Sequence, residues 1–223
     1  MHPWVILRRR DYFSMSEALL QNRDYTIVVA KTAANLAKTP PGYEQRWLAA
    51  HDAIISLAQT CETFDPDGIT VYISCRDESD LFKQYKQVLP SQITAIFDAH
   101  YPPDALNLLN VLQIALDDYF VRKASAQTKP NGEMILVLID GEPQDRMAIA
   151  KLLIRTTEKL DQDHELGIGF LQLGDDFIAR GFLNALDENL KSAGAKFDIV
   201  HTQVFGQVTP DSLTGFLLDV LND

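Results

Sequence analysis

Few side chains in this sequence have the type and spacing that catalysis needs. No two histidines stand four residues apart in a helical segment, so the usual zinc spacing is absent, and all five are expected at the surface or in turns: His2, His51, His100, His164 and His201. The nucleophile elbow Gly-x-Ser-x-Gly, the phosphate-loop motif and Gly-x-Gly-x-x-Gly are also absent. We therefore predict a chain that is not an enzyme and that uses no cofactor.

Asp140 is the acid best placed for a function. It directly follows Met134 to Ile139 (MILVLI), the most continuous apolar run in the chain. Two interpretations stay open: its carboxylate faces a ligand or partner, or it accepts hydrogen bonds from the backbone of the following turn. Lys31 presents a similar choice between an ion pair with Asp140 and a solvated ammonium. The adjacent acids Asp117–Asp118 and Asp175–Asp176 are expected to solvate or cap helices.

Strand and helix patterns alternate along almost the whole chain and must position these groups. Apolar, β-branched runs predict strands at 25–30, 69–74, 134–139, 166–173 and 197–202, with a weaker edge strand at 82–88. Helical periodicity predicts helices at 43–64, 90–97, 104–122, 145–160, 177–190 and 210–221. Repeated strand–helix units indicate an α/β fold, with a doubly wound, mainly parallel sheet and helices on both faces. Ligands of such sheets bind where the carboxyl ends of the strands meet.

Three passages carry a resemblance to a known family. Asp24 to Asn35 (DYTIVVAKTAAN) stands where that family has a strand ending in Asp-x-Ser-x-Ser. Trp47 to Ser74 supplies a long helix, the turn FDPDG and a second strand, and Glu133 to Pro143 (EMILVLIDGEP) corresponds to a strand ending in Thr-Asp-Gly-x-Pro. From Asp24 to Asp223 the chain thus resembles the von Willebrand factor A (vWA) domain, and most closely its stand-alone bacterial members, of the kind common in cyanobacteria. The resemblance implies a Rossmann-like three-layer sandwich that binds other proteins.

The resemblance also implies a metal-ion-dependent adhesion site, and most of its ligands are missing here. The corresponding positions are Ala30, Thr32, Ala34, Leu106 and Asp140, so two of the five keep a side-chain oxygen. Mg²⁺ takes an octahedron of oxygens at about 2.1 Å, which alanine and leucine side chains cannot supply. We therefore predict that this degenerate site holds no metal.

The first 24 residues stand apart as an N-terminal extension, and 25–223 form the vWA-like domain. Tryptophan, tyrosine and arginine are enriched at interface hot spots. Such groups are dense here, and we take them as candidate partner-binding residues: Trp4, Ile6, Leu7, Arg8, Arg9, Arg10, Tyr12 and Phe13. Either the extension docks on another protein, or it folds back over its own domain. Its arginines follow a short apolar run, the reverse of a secretory signal, so a cytoplasmic protein is expected.

The composition disfavours nucleic acid and membrane as partners and indicates the state of the cysteines. The 223 residues carry a net charge of −11, which disfavours nucleic acid as a partner. No segment reaches about 18 continuous apolar residues, so no membrane span is expected. Cys61 and Cys75 are expected to be free thiols.

We predict a non-catalytic protein–protein interaction module, an adaptor or assembly factor. Its partner is another protein, a second copy of the chain, or a vWA relative that still binds metal. The alternatives are a metal-dependent vWA module with a displaced ligand set and an α/β enzyme with an unrecognised site.

Overall fold

A six-stranded sheet forms the centre of the computed structural model, which describes residues 17–30, 43–74, 82–100, 106–205 and 212–222. The strands are β1 (Asp24–Ala30), β2 (Ile69–Ile73), β3 (Lys83–Val88), β4 (Glu133–Ile139), β5 (Leu166–Gln172) and β6 (Val200–Val204). Their order across the sheet is β3-β2-β1-β4-β5-β6. β3 runs antiparallel to β2, and all other neighbours are parallel. The predicted doubly wound, mainly parallel sheet is confirmed.

Helices cover both faces of this sheet. One face carries α1 (Tyr43–Phe64), α2 (Pro90–His100) and α6 (Leu213–Asn222). The other carries α3 (Leu108–Ala124), α4 (Arg146–Thr157) and α5 (Phe177–Asn189). Side chains alternate along a strand, so Ile27 and Val29 of β1 join the first apolar layer, and Val28 and Ala30 join the second. Two short 3₁₀ helices, Glu17–Leu19 and Asp163–Glu165, complete the described elements.

The central strands β4 and β5 are buried along their full length, which explains their continuous apolar sequence. Gly169 of β5 permits the close approach of α6, because a Cβ atom there would lie 2.8 Å from the Phe216 ring. The Gly-x-Gly pair in β5 is therefore a packing feature.

The edge strand β6 is protected by a carboxylate. Both the backbone N–H and the hydroxyl of Thr202 donate to Asp187 Oδ2, at 2.8 and 2.7 Å. An occupied backbone donor makes the edge a poorer template for an added strand.

Several boundaries differ from the sequence-based expectation. The last strand, expected at 197–202, spans Val200–Val204, because pairing with β5 begins where Ile168 meets Val200. The helix expected from 104 begins at Leu108, because the Asn107 side chain caps it by accepting from Asn110 N at 3.0 Å. The expectation that every histidine is exposed or in a turn is wrong for His100. This residue is buried at the end of α2, with Nε2 2.8 Å from the Tyr85 hydroxyl.

Residues 17–24 of the predicted extension contact the domain. Leu20 is fully buried in the same apolar layer as α6. Arg23 is also fully buried, and its guanidinium donates to the carbonyl oxygens of Leu19, Glu133 and His164. The candidate partner-binding residues Trp4, Ile6, Leu7, Arg8, Arg9, Arg10, Tyr12 and Phe13 lie outside the described residues. We refer to residues 1–16 as the N-terminal arm.

Two further expectations concern the cysteines and the membrane. Cys61 is a buried free thiol, as expected, and Cys75 lies outside the described residues. Over the described ranges, no helix has both the length and the apolar character needed to span a membrane.

Candidate functional site

The carboxyl ends of β1, β4, β5 and β6 meet at one edge of the sheet, where ligands of doubly wound folds bind. Ala30 and Ile139 are paired in the register of β1 with β4, so Asp140 follows directly beyond that pair. The structure therefore brings together two of the predicted metal-site positions, Ala30 and Asp140. Both are buried, with exposed fractions of 0% and 4%.

The surroundings of Ala30 are apolar. Ala30 belongs to the buried layer that contains Leu106, the third metal-site position that the structure describes. Leu106 is 6% exposed, so its apolar side chain is buried in that layer. Neither side chain offers a lone pair to a cation, so two of these three positions do not fit Mg²⁺ or Mn²⁺. Thr32 and Ala34 lie outside the described residues, as does Lys31.

Ser74 is a buried polar residue at this edge that the sequence analysis missed. It follows β2 immediately, is 1% exposed, and its Oγ has no hydrogen-bond partner among the described residues. The only signal in the sequence was a serine closing the strand ITVYIS. Asp140 and Ser74 together supply three side-chain oxygens, half of the six ligands that Mg²⁺ takes. Within the described ranges, no group of three or more His, Cys, Asp or Glu side chains is arranged to hold a metal.

Beside this edge, α4 and α5 begin with exposed apolar side chains. Asp176 caps α5 by accepting from the backbone N–H groups of Ile178 and Ala179, at 2.8 and 3.1 Å. This cap confirms one of the roles expected for the pair Asp175–Asp176. It also starts the helix so that Phe177 and Ile178 point away from the buried face, with exposed fractions of 79% and 51%.

Met147 adds a third exposed apolar side chain at the start of α4, with an exposed fraction of 65%. Because α4 and α5 follow the neighbouring strands β4 and β5 and cover the same face, their first turns lie at the same edge. We call Met147, Phe177 and Ile178 the α4–α5 patch. Both helices were predicted from the sequence, but their exposed first turns were not. The signal was available, because Ala179, Leu183 and Leu186 define a buried face that excludes Phe177 and Ile178.

A cavity of about 260 Å³ lies between α5 and β6. Arg180, Asn184 and Gln203 contribute polar groups to its lining. The hydroxyl of Thr202, which also lines the cavity, donates to Asp187 and is committed to protecting the edge of β6. The lining therefore offers hydrogen-bonding groups to a bound molecule.

Two carboxyl groups whose pKa is raised, those of Glu133 and Asp65, lie at the opposite, amino-terminal edge of the sheet. Burial raises the pKa of Glu133, whose carboxylate accepts from Thr26 Oγ1 at 2.6 Å and from Arg122. Burial also raises the pKa of Asp65 to about 7, although its neighbour Lys129 favours the charged form. These carboxyls belong to ion pairs that join the loops below the sheet, so we assign them a structural role.

Comparison with known proteins adds little to this geometry. No family model matches the chain, and no curated protein matches it. Among solved structures, the chain is similar to the manganese-loaded TRAP protein of Plasmodium vivax. That similarity has a TM-score of 0.49 and 8% sequence identity, and it covers 90% of this chain and 74% of that one. A likeness at this level identifies neither a ligand nor a partner.

Proposed function

We propose that this chain is a non-catalytic protein–protein interaction module of von Willebrand factor A type, acting as an adaptor or assembly factor. It binds its partner without a metal bridge. The observation that carries the proposal is Ala30, which ends the central strand β1 beside Asp140 and lies buried in one apolar layer with Leu106. Of the metal-site positions that the structure describes, only Asp140 carries a carboxylate, and one carboxylate supplies too few ligands for a specific cation site.

Two features support a binding role over a catalytic one. The carboxyl edge of the sheet carries the exposed α4–α5 patch, and exposed apolar patches commonly mark protein-binding surfaces. Glu133 and Asp65, two carboxyls whose pKa is raised by burial, are held in ion pairs at the other edge, away from any ligand at the carboxyl edge. Their burial within the fold therefore explains the raised pKa of both groups.

A metal-dependent module with a displaced ligand set is the second candidate. It is favoured by Ser74, whose buried hydroxyl has no partner among the described residues and lies at the same edge as Asp140. A cation held there would depend on Asp140, the one acid among the metal-site positions that the structure describes. The two candidates therefore differ in whether partner binding requires a divalent cation.

Affinity capture from a lysate of the source cells separates these candidates. With the whole chain as bait, we expect the same proteins to be captured in EDTA and in Mg²⁺. Baits carrying Asp140→Asn and the matched exposed change Asp145→Asn should capture equally well, after circular dichroism has verified both folds. The proposal would be contradicted, and the second candidate established, if EDTA abolished capture and Mg²⁺ restored it. In that case Asp140→Asn should also eliminate capture, whereas Asp145→Asn should not.

A further inference from the structure

We propose that the N-terminal arm of one copy docks on the α4–α5 patch of a second copy of this chain. The inference rests on the proposed function, because it names a partner for the edge to which that function assigns protein binding. It joins two features of the chain: the apolar and basic arm, and the exposed first turns of α4 and α5.

The patch has the exposure of a docking surface. Phe177, Ile178 and Met147 are each more than half exposed, and they lie at one edge and on one face of the sheet. Gly181, one turn beyond Phe177, leaves open space above the helix, because a Cβ atom there would meet nothing within 4 Å. An extended segment can therefore approach the backbone of α5 beside the Phe177 ring.

The rim of the patch selects a basic occupant. Four carboxylates and two guanidinium groups occupy the turns around it: Glu142, Asp145, Asp175 and Asp176, with Arg146 and Arg180. Arg146 is already paired with Glu142, at 2.6 Å. The rim is thus net negative, like the chain as a whole. A partner segment with large apolar side chains next to arginines matches both the patch and its rim.

The N-terminal arm has this composition. Trp4, Val5, Ile6 and Leu7 are followed directly by three arginines, Arg8 to Arg10. The apolar run can cover the Phe177 and Ile178 side chains while the arginines face the carboxylates of the rim. Within the described ranges, no segment of the chain combines an apolar run with consecutive arginines.

The position where the arm leaves the domain favours a second copy over the arm's own domain. Asn131 Nδ2 donates to the carbonyl oxygens of Ala18 and Gln21, at 3.0 and 2.6 Å, which holds this segment at the amino-terminal edge of the sheet. Leu20 lies on the α6 face. The patch is at the opposite edge and on the opposite face. β1 alone spans roughly 20 Å, and the chain from Leu7 to Glu17 reaches at most about 35 Å. An arm that places its apolar run on the patch of its own domain would use much of that reach along the sheet and would also have to pass around it.

Sedimentation equilibrium of the whole chain tests the proposal. We expect concentration-dependent dimers that Phe177→Ser weakens about tenfold or more, and that Trp4→Ser weakens to a similar extent. The control is Val121→Ser, which removes an apolar side chain that is 69% exposed near the end of α3, away from the patch. A synthetic peptide of residues 1–16 should dissociate the dimer, and the same peptide with Arg8, Arg9 and Arg10 changed to glutamine should compete less well.

Mixing the two variants gives a second, independent readout. The Trp4→Ser chain keeps its patch and the Phe177→Ser chain keeps its arm, so the mixture should associate more strongly than either variant alone. A chain that stays monomeric at about 100 µM, or a dimer that neither variant weakens, overturns the proposal. A monomer that still captures another protein in EDTA overturns this inference and leaves the proposed function standing.

Discussion

Arg122→Met should lower the free energy of unfolding by about 3 kcal/mol, because it leaves the buried carboxylate of Glu133 without its cation. Glu133 is 2% exposed, and Arg122 donates one guanidinium N–H to it. Arg122 also pairs with Asp24 and Asp118, at 2.5 and 2.9 Å. Those two carboxylates are about a quarter to a third exposed, so solvent screens them and their share of the effect is small.

Urea unfolding followed by far-ultraviolet circular dichroism measures this loss, and melting should fall by about 6–12 °C for a domain of this size. Lys86→Met is the matched control. It removes a cation that pairs with Asp118 at 3.1 Å but is 53% exposed, and such pairs contribute about 0.2–1 kcal/mol. A similar loss in both variants would show that the burial of Glu133 is not the cause.

The pH dependence gives a sharper check on the same reasoning. Burial raises the pKa of Glu133 while Arg122 opposes that rise, so the variant should have the higher folded-state pKa. An acid whose pKa is raised on folding loses stability as pH rises from its unfolded value through its folded value. The deficit of Arg122→Met should therefore be largest at neutral pH and shrink as pH falls toward about 4.3, the ordinary value for glutamate. A deficit below about 1 kcal/mol, or one that does not change with pH, would refute the account.

Three further substitutions test other parts of the structure. Ala30→Asp should destabilise the fold by roughly 2 kcal/mol or more, because it buries a carboxylate beside Asp140, and Mg²⁺ should not recover the melting temperature unless Leu106→Thr is added. Asp65→Asn should make the free energy of unfolding, measured with urea, depend less on pH. Burial raises the pKa of Asp65 to about 7, so the contribution of this residue to stability falls as pH rises from its pKa in the unfolded chain through about 7. If the free energy of unfolding of this variant depends on pH as steeply as that of the parent chain, the raised pKa of Asp65 would be contradicted. Asp187→Ala should cost about 1–2 kcal/mol and increase aggregation measured by light scattering, because it leaves the edge-strand N–H of Thr202 without an acceptor. Equal scattering by the variant and the parent chain would count against edge protection.

Local patterns predicted most of the fold. The helix α1 has the predicted bounds, because its apolar side chains recur at helical spacing and the turn after Phe64 ends it. The strands β1, β2 and β4 lie within one residue of their expected positions for a similar reason. What the sequence did not predict depends on contacts between distant residues. His100 is buried in contact with Tyr85 of β3, and β6 begins where it pairs with β5.

The site was predictable only in part. The adjacency of Ala30 and Asp140 follows from parallel strands that end together, and the sequence was sufficient to expect it. Leu106 was expected as a lost ligand, and its membership of the same apolar layer as Ala30 required the structure. The α4–α5 patch was missed, because periodicity identifies the buried face of a helix more readily than it identifies exposed residues in the first turn.

Isothermal titration calorimetry of the whole chain with Mg²⁺ and Mn²⁺ tests the central claim most directly. We expect no saturable heat, because Ala30 and Leu106 are buried apolar side chains and Asp140 is the one acid among the metal-site positions that the structure describes. Saturable one-to-one binding that Asp140→Asn abolishes and Asp145→Asn preserves would contradict it.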